Sequence, residues 1–173
     1  MLADQPIAYW RLGDAPNAAA ADSSGRGHVG AYQNGVTVGV AGALSNDPDT
    51  AASFDGVNDS MDVPDAADLR LNGSFTIEFW AASPAFVNSY PGLLVKGASG
   101  TANGFLVYRT SVGTLTFKRS NNYVSSAVGA LTSTYRYFAL TYNGTVAQWY
   151  VNGAPSGRAI SVAFPVNAGT DTF

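Results

Sequence analysis

The chain has 173 residues, enough for one all-β domain with a sizeable core, so we expect a single domain over residues 1–173. Charged residues make up only 12% of the chain and the formal net charge is −3, so no basic field is available to hold the phosphates of a nucleic acid. The chain has no cysteine and no run approaching about 18 apolar residues, which excludes disulfides, thiolate metal sites and a membrane-spanning helix.

Strand patterns dominate the chain, whereas helical periodicity is repeatedly interrupted by glycine, proline or β-branched residues. Phe75, Ile77 and Phe79 alternate with a second set of side chains on the opposite face, Thr76, Glu78 and Trp80. This is the period of a strand packed on both sides. The predicted strands before the C-terminal hairpin are, in chain order, residues 7–12, 60–63, 74–81, 93–96, 104–110 and 114–119. The only predicted helix is a short one at residues 64–69.

A long antiparallel hairpin is the clearest local prediction. Residues 135–142 and 145–151 are joined by Asn143-Gly144, a pair of residue types that favours the positive φ angles of a type I′ turn. A second pair, Asn152-Gly153, turns the chain again. Dense strands joined by such turns, without helical spacers, predict an all-β sandwich of two antiparallel sheets rather than a parallel α/β sheet.

Five motifs, in this order, resemble the laminin-G-like jelly rolls of the concanavalin A type. They are AYWRLGD at residues 8–14, DSSGRG at 22–27, FDGVND at 54–59, FTIEFW at 75–80, and the hairpin pair FALTYNG at 138–144 with WYVNG at 149–153. The resemblance covers about residues 7–157 and implies a concanavalin-A-like (LamG) jelly-roll β-sandwich.

The resemblance also implies one more hairpin, with an Ile-Asp-Glu-Val-like strand, and the sequence up to Phe173 contains no such strand. In the family that closing strand pairs near the N-terminal one, so its absence would expose a sheet edge that proteins normally cover. We therefore expect the edge to be covered by another chain of an assembly or by the remainder of a larger polypeptide.

Tyrosines and asparagines in predicted loops or at strand ends suit a glycan-binding surface, because ring faces pack on sugars and amides bond their hydroxyls. The candidate ligand-binding residues are Tyr90, Tyr108, Asn121, Asn122 and Tyr123. The other large aromatic residues, including Trp80, Trp149 and Phe138, are interpreted as packing between the two sheets.

Calcium is the ion best suited to this chain, because hard cations favour carboxylate and carbonyl oxygens. The candidate ligands are Asp22, Asp55, Asn58 and Asp59, which lie in two polar turns. The alternative is that these side chains stabilise the turns by bonding nearby backbone amides. The family's usual site also draws on the missing Asp-Glu strand, so a calcium site here would be incomplete or shared.

Catalysis is not expected. A glycoside hydrolase on this fold needs two carboxyl groups about 5 to 10 Å apart, but Glu78 is the single glutamate and no Glu-x-Asp-x-Glu-like triplet accompanies it. The single histidine, His28, lies in a glycine-rich turn without a Gly-x-Ser-x-Gly elbow. We therefore predict no catalytic residue and no enzyme activity.

The sequence predicts a non-catalytic recognition or structural module that binds a glycan or a protein partner. Residues 1–10 lack the features of a signal peptide, which fits a cytoplasmic protein, a phage virion protein of the tail, fibre or capsid, or a piece of a secreted bacterial protein, and we favour the last two. Either origin predicts a virion or extracellular location, with no nucleic-acid partner. The alternatives are a glycoside hydrolase or polysaccharide lyase on the same fold, or an architectural subunit that cements its neighbours.

Overall fold

The computed structural model describes residues 2–83, 90–97, 104–167 and 169. It divides the chain into two compact units, one formed by Met1–Leu69 with Thr172–Phe173 and the other by Arg70–Asp171. Antiparallel strands make up nearly all of the regular structure, so the all-β prediction is confirmed. The single-domain interpretation of residues 1–173 stays a prediction. None of the helices in the described ranges is long and apolar enough to cross a membrane.

The first unit contains four short strands that pair into two separate two-stranded sheets. Ala31–Gln33 (β1) pairs with Ser60–Asp62 (β4), and Thr37–Ala41 (β2) pairs with Thr50–Ser53 (β3), both antiparallel. A 3₁₀ helix at Leu2–Asp4 precedes them. Each of these sheets is too small to enclose a core by itself.

The second unit contains eight of the strands found in the described residues. They are Phe75–Ala81 (β5), Gly92–Lys96 (β6), Phe105–Arg109 (β7), Leu115–Arg119 (β8), Asn122–Ser125 (β9), Arg136–Tyr142 (β10), Val146–Val151 (β11) and Ala154–Ser161 (β12). They form two four-stranded antiparallel sheets, with strand orders β12-β11-β10-β5 and β6-β7-β8-β9. We call them the β5 sheet and the β7 sheet.

The β5 and β7 sheets pack face to face through alternate side chains of their strands. The ring of Phe75 on β5 lies 5.5 Å from the ring of Phe117 on β8, measured between centroids. Trp149 on β11 donates its indole N–H to the backbone carbonyl of Val124 on β9 at 3.0 Å. Phe117, Val124 and Trp149 are fully buried. The alternation predicted around Phe75 is confirmed, because β5 alternates half-buried and exposed side chains along its whole length.

The hairpin of β10 and β11 is confirmed, but its turn is not of the predicted type. The paired residues leave a loop over residues 143–146, and Asn143 is not among the residues with positive φ. The side-chain oxygen of Asn143 instead accepts hydrogen bonds from the backbone N–H groups of Thr145 and Val146 at 3.0 and 2.8 Å. The asparagine therefore organises the loop through its side chain rather than through its backbone conformation.

Type I′ geometry occurs at the second Asn-Gly pair. Asn152 and Gly153 have φ angles of 50° and 80°, and they are the two loop residues between the paired Val151 and Ala154. Because both central residues of a type I′ turn need positive φ, this turn joins β11 to β12 in the tight manner that the residue types favour.

The predicted strand at residues 7–12 is wrong. Trp10 makes only an isolated bridge with Asp22, and Leu12 has a φ of 61°, which no strand contains. The polar groups of this segment are bonded elsewhere: the backbone N–H of Tyr9 donates to the Asp22 carboxylate, and the indole N–H of Trp10 donates to the carbonyl of His28. The Tyr9 backbone and the Trp10 side chain thus anchor a loop.

The remaining predicted strands are confirmed to within one residue at each end. The predicted helix is present as a 3₁₀ helix at Ala67–Arg70, shorter and later than expected. Strands β1, β2, β3, β9 and β12 were not predicted. Strands β2, β3 and β12 are rich in alanine, glycine and serine, which weakens their apolar alternation, and β1 and β9 are short.

Candidate functional site

Two of the predicted ligand-binding tyrosines lie on the outer face of the β7 sheet. Tyr108 on β7 pairs with Thr116 on β8, and Thr116 pairs with Ser125 on β9, two residues after Tyr123. Directly opposed residues, and residues two apart along a strand, share one face of a sheet. Val107, next to Tyr108, is fully buried on the inner face. Both tyrosines therefore point away from the core.

Tyr90 extends this surface at the start of β6. Its ring lies 5.8 Å from the ring of Tyr108 in an edge-to-face arrangement. Tyr90 and Tyr123 are 62% and 63% exposed, so both rings are open to a ligand. We call Tyr90, Tyr108 and Tyr123, with the outer-face residues between them, the tyrosine face.

Sequence reasoning missed the polar residues of the tyrosine face. Lys118 on β8 pairs directly with Tyr123 and with Leu106, so its side chain lies between β7 and β9 on the outer face. The hydroxyls of Thr116 and Ser125 lie 2.8 Å apart and bond each other. Residues two apart along a strand lie on the same face, so a prediction of β9 would have placed these polar residues beside Tyr108 and Tyr123.

The two predicted asparagines lie at the end of the same sheet. Asn121 is exposed in the turn between β8 and β9, and Asn122 is the first residue of β9. The Asn122 side chain donates to the carbonyl of Ala163 at 3.3 Å. Because neighbouring residues of a strand point to opposite faces, Asn122 lies on the other side of β9 from Tyr123. The structure thus places the three tyrosines on one face of the sheet, with Tyr90 and Tyr108 in contact, but not the whole predicted set.

Asp22, a predicted metal ligand, is surrounded by hydrogen-bond donors. Its two oxygens accept from the backbone N–H groups of Tyr9, Ser24 and His28, each at 2.9 Å, and from the Ser24 hydroxyl at 2.8 Å. Burial opposes ionisation of Asp22, but these four bonds outweigh it and lower the pKa to about 2. The carboxylate therefore holds three segments of one loop together.

Asp55, Asn58 and Asp59 form a second polar turn. One oxygen of Asp55 accepts from the backbone N–H groups of Val57, Asn58 and Asp59 at 2.7 to 3.4 Å, and the Asp59 carboxylate accepts from the Asp55 N–H at 3.0 Å. The hydrogen bond from Val57 is the main cause that lowers the pKa of Asp55. The Asn58 carbonyl accepts from the side chain of Asn34 at 2.8 Å.

These contacts fit turn stabilisation better than metal coordination. A cation placed at Asp22 or Asp55 would face the N–H groups that already donate to their oxygens. Within the part of the chain that the structure describes, no group of three or more His, Cys, Asp or Glu residues is placed to hold a metal ion. Calcium binding stays a prediction, and no functional step below depends on it.

The residues considered for catalysis are far from a catalytic arrangement in the described structure. Glu78 is exposed on the outer face of β5, and it is the only acidic residue between positions 70 and 170. The His28 ring lies 3.2 Å from the carboxylate of Asp68, within hydrogen-bond distance. The absence of enzyme activity nevertheless stays a prediction.

One interpretation of the aromatic residues is wrong. Trp80 is 40% exposed and lies on the outer face of β5, whereas Trp149 and Phe138 are fully buried as expected. The alternation along β5 settles this, because Phe79 occupies the inward position next to Trp80. Trp80 therefore belongs to the surface and not to the packing between the sheets.

A family model described as the concanavalin A-like lectin/glucanases superfamily matches residues 54–173. Among solved structures, the chain is similar to domain 4 of AbnA, a GH43 extracellular arabinanase from Geobacillus stearothermophilus, in complex with arabinotriose. The TM-score is 0.57 with 14% sequence identity, and the match covers 88% of this chain and 75% of that one. A comparison with curated proteins found no match. Together the family match and the structural likeness confirm the predicted jelly-roll fold.

Proposed function

We propose, from the premise that this chain belongs to the concanavalin A-like lectin/glucanases superfamily, that it is a non-catalytic carbohydrate-binding module. The tyrosine face is the observation that carries this proposal. Three tyrosines from three separate segments lie on one outer face of the β7 sheet, with the rings of Tyr90 and Tyr108 in contact and Tyr123 two strands away, and two of the three are more exposed than buried.

The chemistry of this face suits a sugar. The C–H groups on one side of a sugar ring are apolar and pack against aromatic ring faces, while the phenol hydroxyls remain free to bond sugar hydroxyls. The Lys118 ammonium next to Tyr123 adds a donor group and the only charged side chain in the paired outer rows of the β7 sheet. We therefore expect this face to bind hydroxyl-rich chains and to tolerate acidic sugars.

The similar domain of the arabinanase was solved in complex with arabinotriose. That likeness concerns the fold, so it supports the class of ligand only by analogy. Following the analogy, we propose a short stretch of a polysaccharide as the ligand of this chain.

A binding role without catalysis follows from the scarcity of carboxylates. A retaining or inverting glycosidase needs two carboxyl groups flanking the scissile bond, and Glu78 is the only acid within positions 70–170. Release of reducing sugar from a polysaccharide by the wild-type protein, lost in Glu78→Gln, would support the hydrolase alternative instead. The virion or extracellular location, with other chains of an assembly as partners, remains part of this proposal.

The proposal is tested with Tyr123→Ala and Tyr123→Phe in native affinity gels containing soluble arabinan, xylan or mixed-linkage β-glucan. We expect Tyr123→Ala to weaken binding of the retained polysaccharide about tenfold, because one stacking ring is removed. Tyr123→Phe, which keeps the ring, should bind like the wild type to within about threefold. Val128→Ala, at a 73% exposed position in the turn after β9, is the control and should have no effect. Unchanged binding in both Tyr108→Ala and Tyr123→Ala would rule out the tyrosine face.

A further inference from the structure

The outer face of the β5 sheet carries a second aromatic cluster, on the opposite side of the sandwich from the tyrosine face. Trp80 on β5 is directly opposite Tyr137 on β10, and their ring centroids are 5.4 Å apart. Trp80 is 40% exposed and Tyr137 is half-buried. The indole therefore lies beside a tyrosine on a surface open to solvent.

In the next row of the sheet, a small residue lies between a carboxylate and a tyrosine. Glu78 on β5, Ala139 on β10 and Tyr150 on β11 lie side by side in register. Because alanine is small, its position forms a dip between the Glu78 and Tyr150 side chains. Tyr150 is also the diagonal neighbour of Tyr137, about 7 to 8 Å away, a distance that aromatic side chains bridge.

Packing does not explain this cluster. The inward positions of the same strands already fill the core with Phe79, Phe138 and Trp149, which stack on one another. A single exposed aromatic residue is ordinary on a protein surface, but Trp80, Tyr137 and Tyr150 form a contiguous group around a carboxylate. Such a combination of ring faces and a hydrogen-bond acceptor is what a hydroxyl-rich ligand requires.

The charged residues in the paired rows of the two outer faces differ in sign. In the paired rows of the β5 sheet from Thr76 to Trp80, Glu78 is the only charged outer-face side chain. In the paired rows of the β7 sheet, Lys118 is the only charged outer-face side chain. A carboxylate accepts hydrogen bonds from sugar hydroxyls and repels acidic sugars, so the β5 sheet favours uncharged chains.

We propose that Trp80, Tyr137 and Tyr150, together with Glu78, form a second glycan-binding surface, the indole face, which is specific for uncharged polysaccharides. Its existence does not depend on the tyrosine face. The bivalency that follows rests on the proposed function: with one surface on each side of the sandwich, a single molecule holds two polysaccharide chains, and linked sites gain avidity.

The test uses Trp80→Ala, Tyr123→Ala and the double variant in native gels with the same soluble arabinan, xylan and mixed-linkage β-glucan. We expect each single variant to retain part of the retardation and the double variant to lose it. Trp80→Phe is the matched control that keeps a ring, and it should retain binding. The unfolding midpoints of Trp80→Ala and the wild type should agree to within a few degrees, because the indole lies outside the core.

Two further readouts separate the indole face from the tyrosine face. Tryptophan fluorescence should change on addition of the retained polysaccharide in the wild type and in Tyr123→Ala, but not in Trp80→Phe. Carboxymethylation of that polysaccharide should abolish the fluorescence change in the wild type, and Glu78→Gln should restore it. Glu78 is exposed, so this variant changes the charge of the face without disturbing the core.

The outcomes discriminate between the two surfaces. Wild-type retardation in Trp80→Ala, with complete loss in Tyr123→Ala, overturns the indole face and leaves the proposed function standing. Complete loss in Trp80→Ala, with no effect of either Tyr108→Ala or Tyr123→Ala, supports the indole face and overturns both the tyrosine face and bivalency. A wild-type protein that none of the three polysaccharides retards, and whose fluorescence none of them changes, overturns both surfaces.

Discussion

The two units of this chain are stabilised by different chemistry. Thirteen of the sixteen buried apolar residues in the described part of the chain lie in the second unit, and only Ala20, Val63 and Leu69 lie in the first. Ten of the twelve acidic residues belong to the first unit, while seven of the nine Lys and Arg residues belong to the second. One unit is rich in carboxylates and the other in packed aromatic rings.

The first unit has few buried apolar residues, and hydrogen bonds to carboxylates stabilise it instead. In the first unit, Asp22 and Asp55 each accept several backbone N–H groups, so loops are held by charge-assisted hydrogen bonds. In the second unit, Arg119 is buried among phenylalanine rings and backbone carbonyls instead of pairing with acids. We therefore expect the second unit to respond most to loss of apolar volume and the first to acid.

The largest effect should come from Trp149→Ala. Trp149 is fully buried, packs edge-on against Phe79 and donates its indole N–H to Val124. Truncation leaves a cavity and removes the indole hydrogen bond, which together should lower the free energy of unfolding by about 3 to 5 kcal/mol, as measured in urea. Trp80→Ala is the matched control and should cost less than about 1 kcal/mol, because its indole lies on the surface. Similar losses in both variants would contradict the assignment of these two tryptophans.

A smaller loss is expected for Arg119→Met. The guanidinium is 2% exposed, lies 5.5 to 5.9 Å from the centroids of three phenyl rings and donates to the carbonyls of Arg70 and Leu71 at 3.0 and 3.1 Å. Burial lowers the pKa of Arg119, although the group stays charged. Methionine fills the space but removes the guanidinium's hydrogen bonds to these carbonyls, so we expect a loss of about 2 kcal/mol.

Arg119→Lys is the control for charge. Lysine keeps the cation but not the planar fork that reaches two carbonyls while lying on aromatic faces, so its stability should resemble that of Arg119→Met. The measurement is again urea unfolding. If Arg119→Lys matches the wild type instead, charge alone holds this position, and the geometry of the guanidinium is unimportant.

The fold of the second unit was largely readable from its sequence. The strands β5, β7, β8, β10 and β11 carry alternating aromatic or branched residues, and their predicted ends agree with the structure to within one residue. The apolar pattern is strong there because each strand buries one face against the other sheet. Strand β12 was missed because alanine, serine and glycine give little contrast between faces, and β9 because its 4 residues are too few to show a clear alternation.

The surfaces were less predictable than the core. Tyr108 and Tyr123 were identified one by one, but their shared face depends on the pairing of β7, β8 and β9, which lies outside local sequence patterns. Trp80 was assigned to the core because aromatic residues are usually buried, although its position in the alternation of β5 places it outside. The alternation was the better guide.

The first unit misled the strand prediction because its backbone bonds to carboxylates. Residues 7–12 are mostly apolar, as a buried strand would be, yet the Tyr9 N–H donates to Asp22 rather than to a neighbouring strand. Short polar side chains offer the backbone such local hydrogen-bond partners, and these contacts produce no periodic pattern in the sequence. Motifs that resemble a family locate these turns, but only the structure shows which N–H groups they bond.

The smallest expected effect tests that role of Asp22 and depends on pH. The folded pKa of Asp22 is lowered from 3.8 to about 2, so its contribution is complete above pH 4 and is lost as the pH falls from about 4 to about 2. The shift corresponds to at most about 2 kcal/mol, because the group is partly exposed. Amide exchange at Tyr9, Ser24 and His28, the residues whose N–H groups bond Asp22, should lose protection over this range, after correction for the intrinsic pH dependence of exchange. Asp22→Asn should lower this protection already at pH 7 and remove its acid dependence, while amides of β10 and β11 serve as the control and stay protected. Loss of protection in both units at the same pH would mean that acid acts on the whole chain and that the carboxylate network is not what distinguishes the first unit.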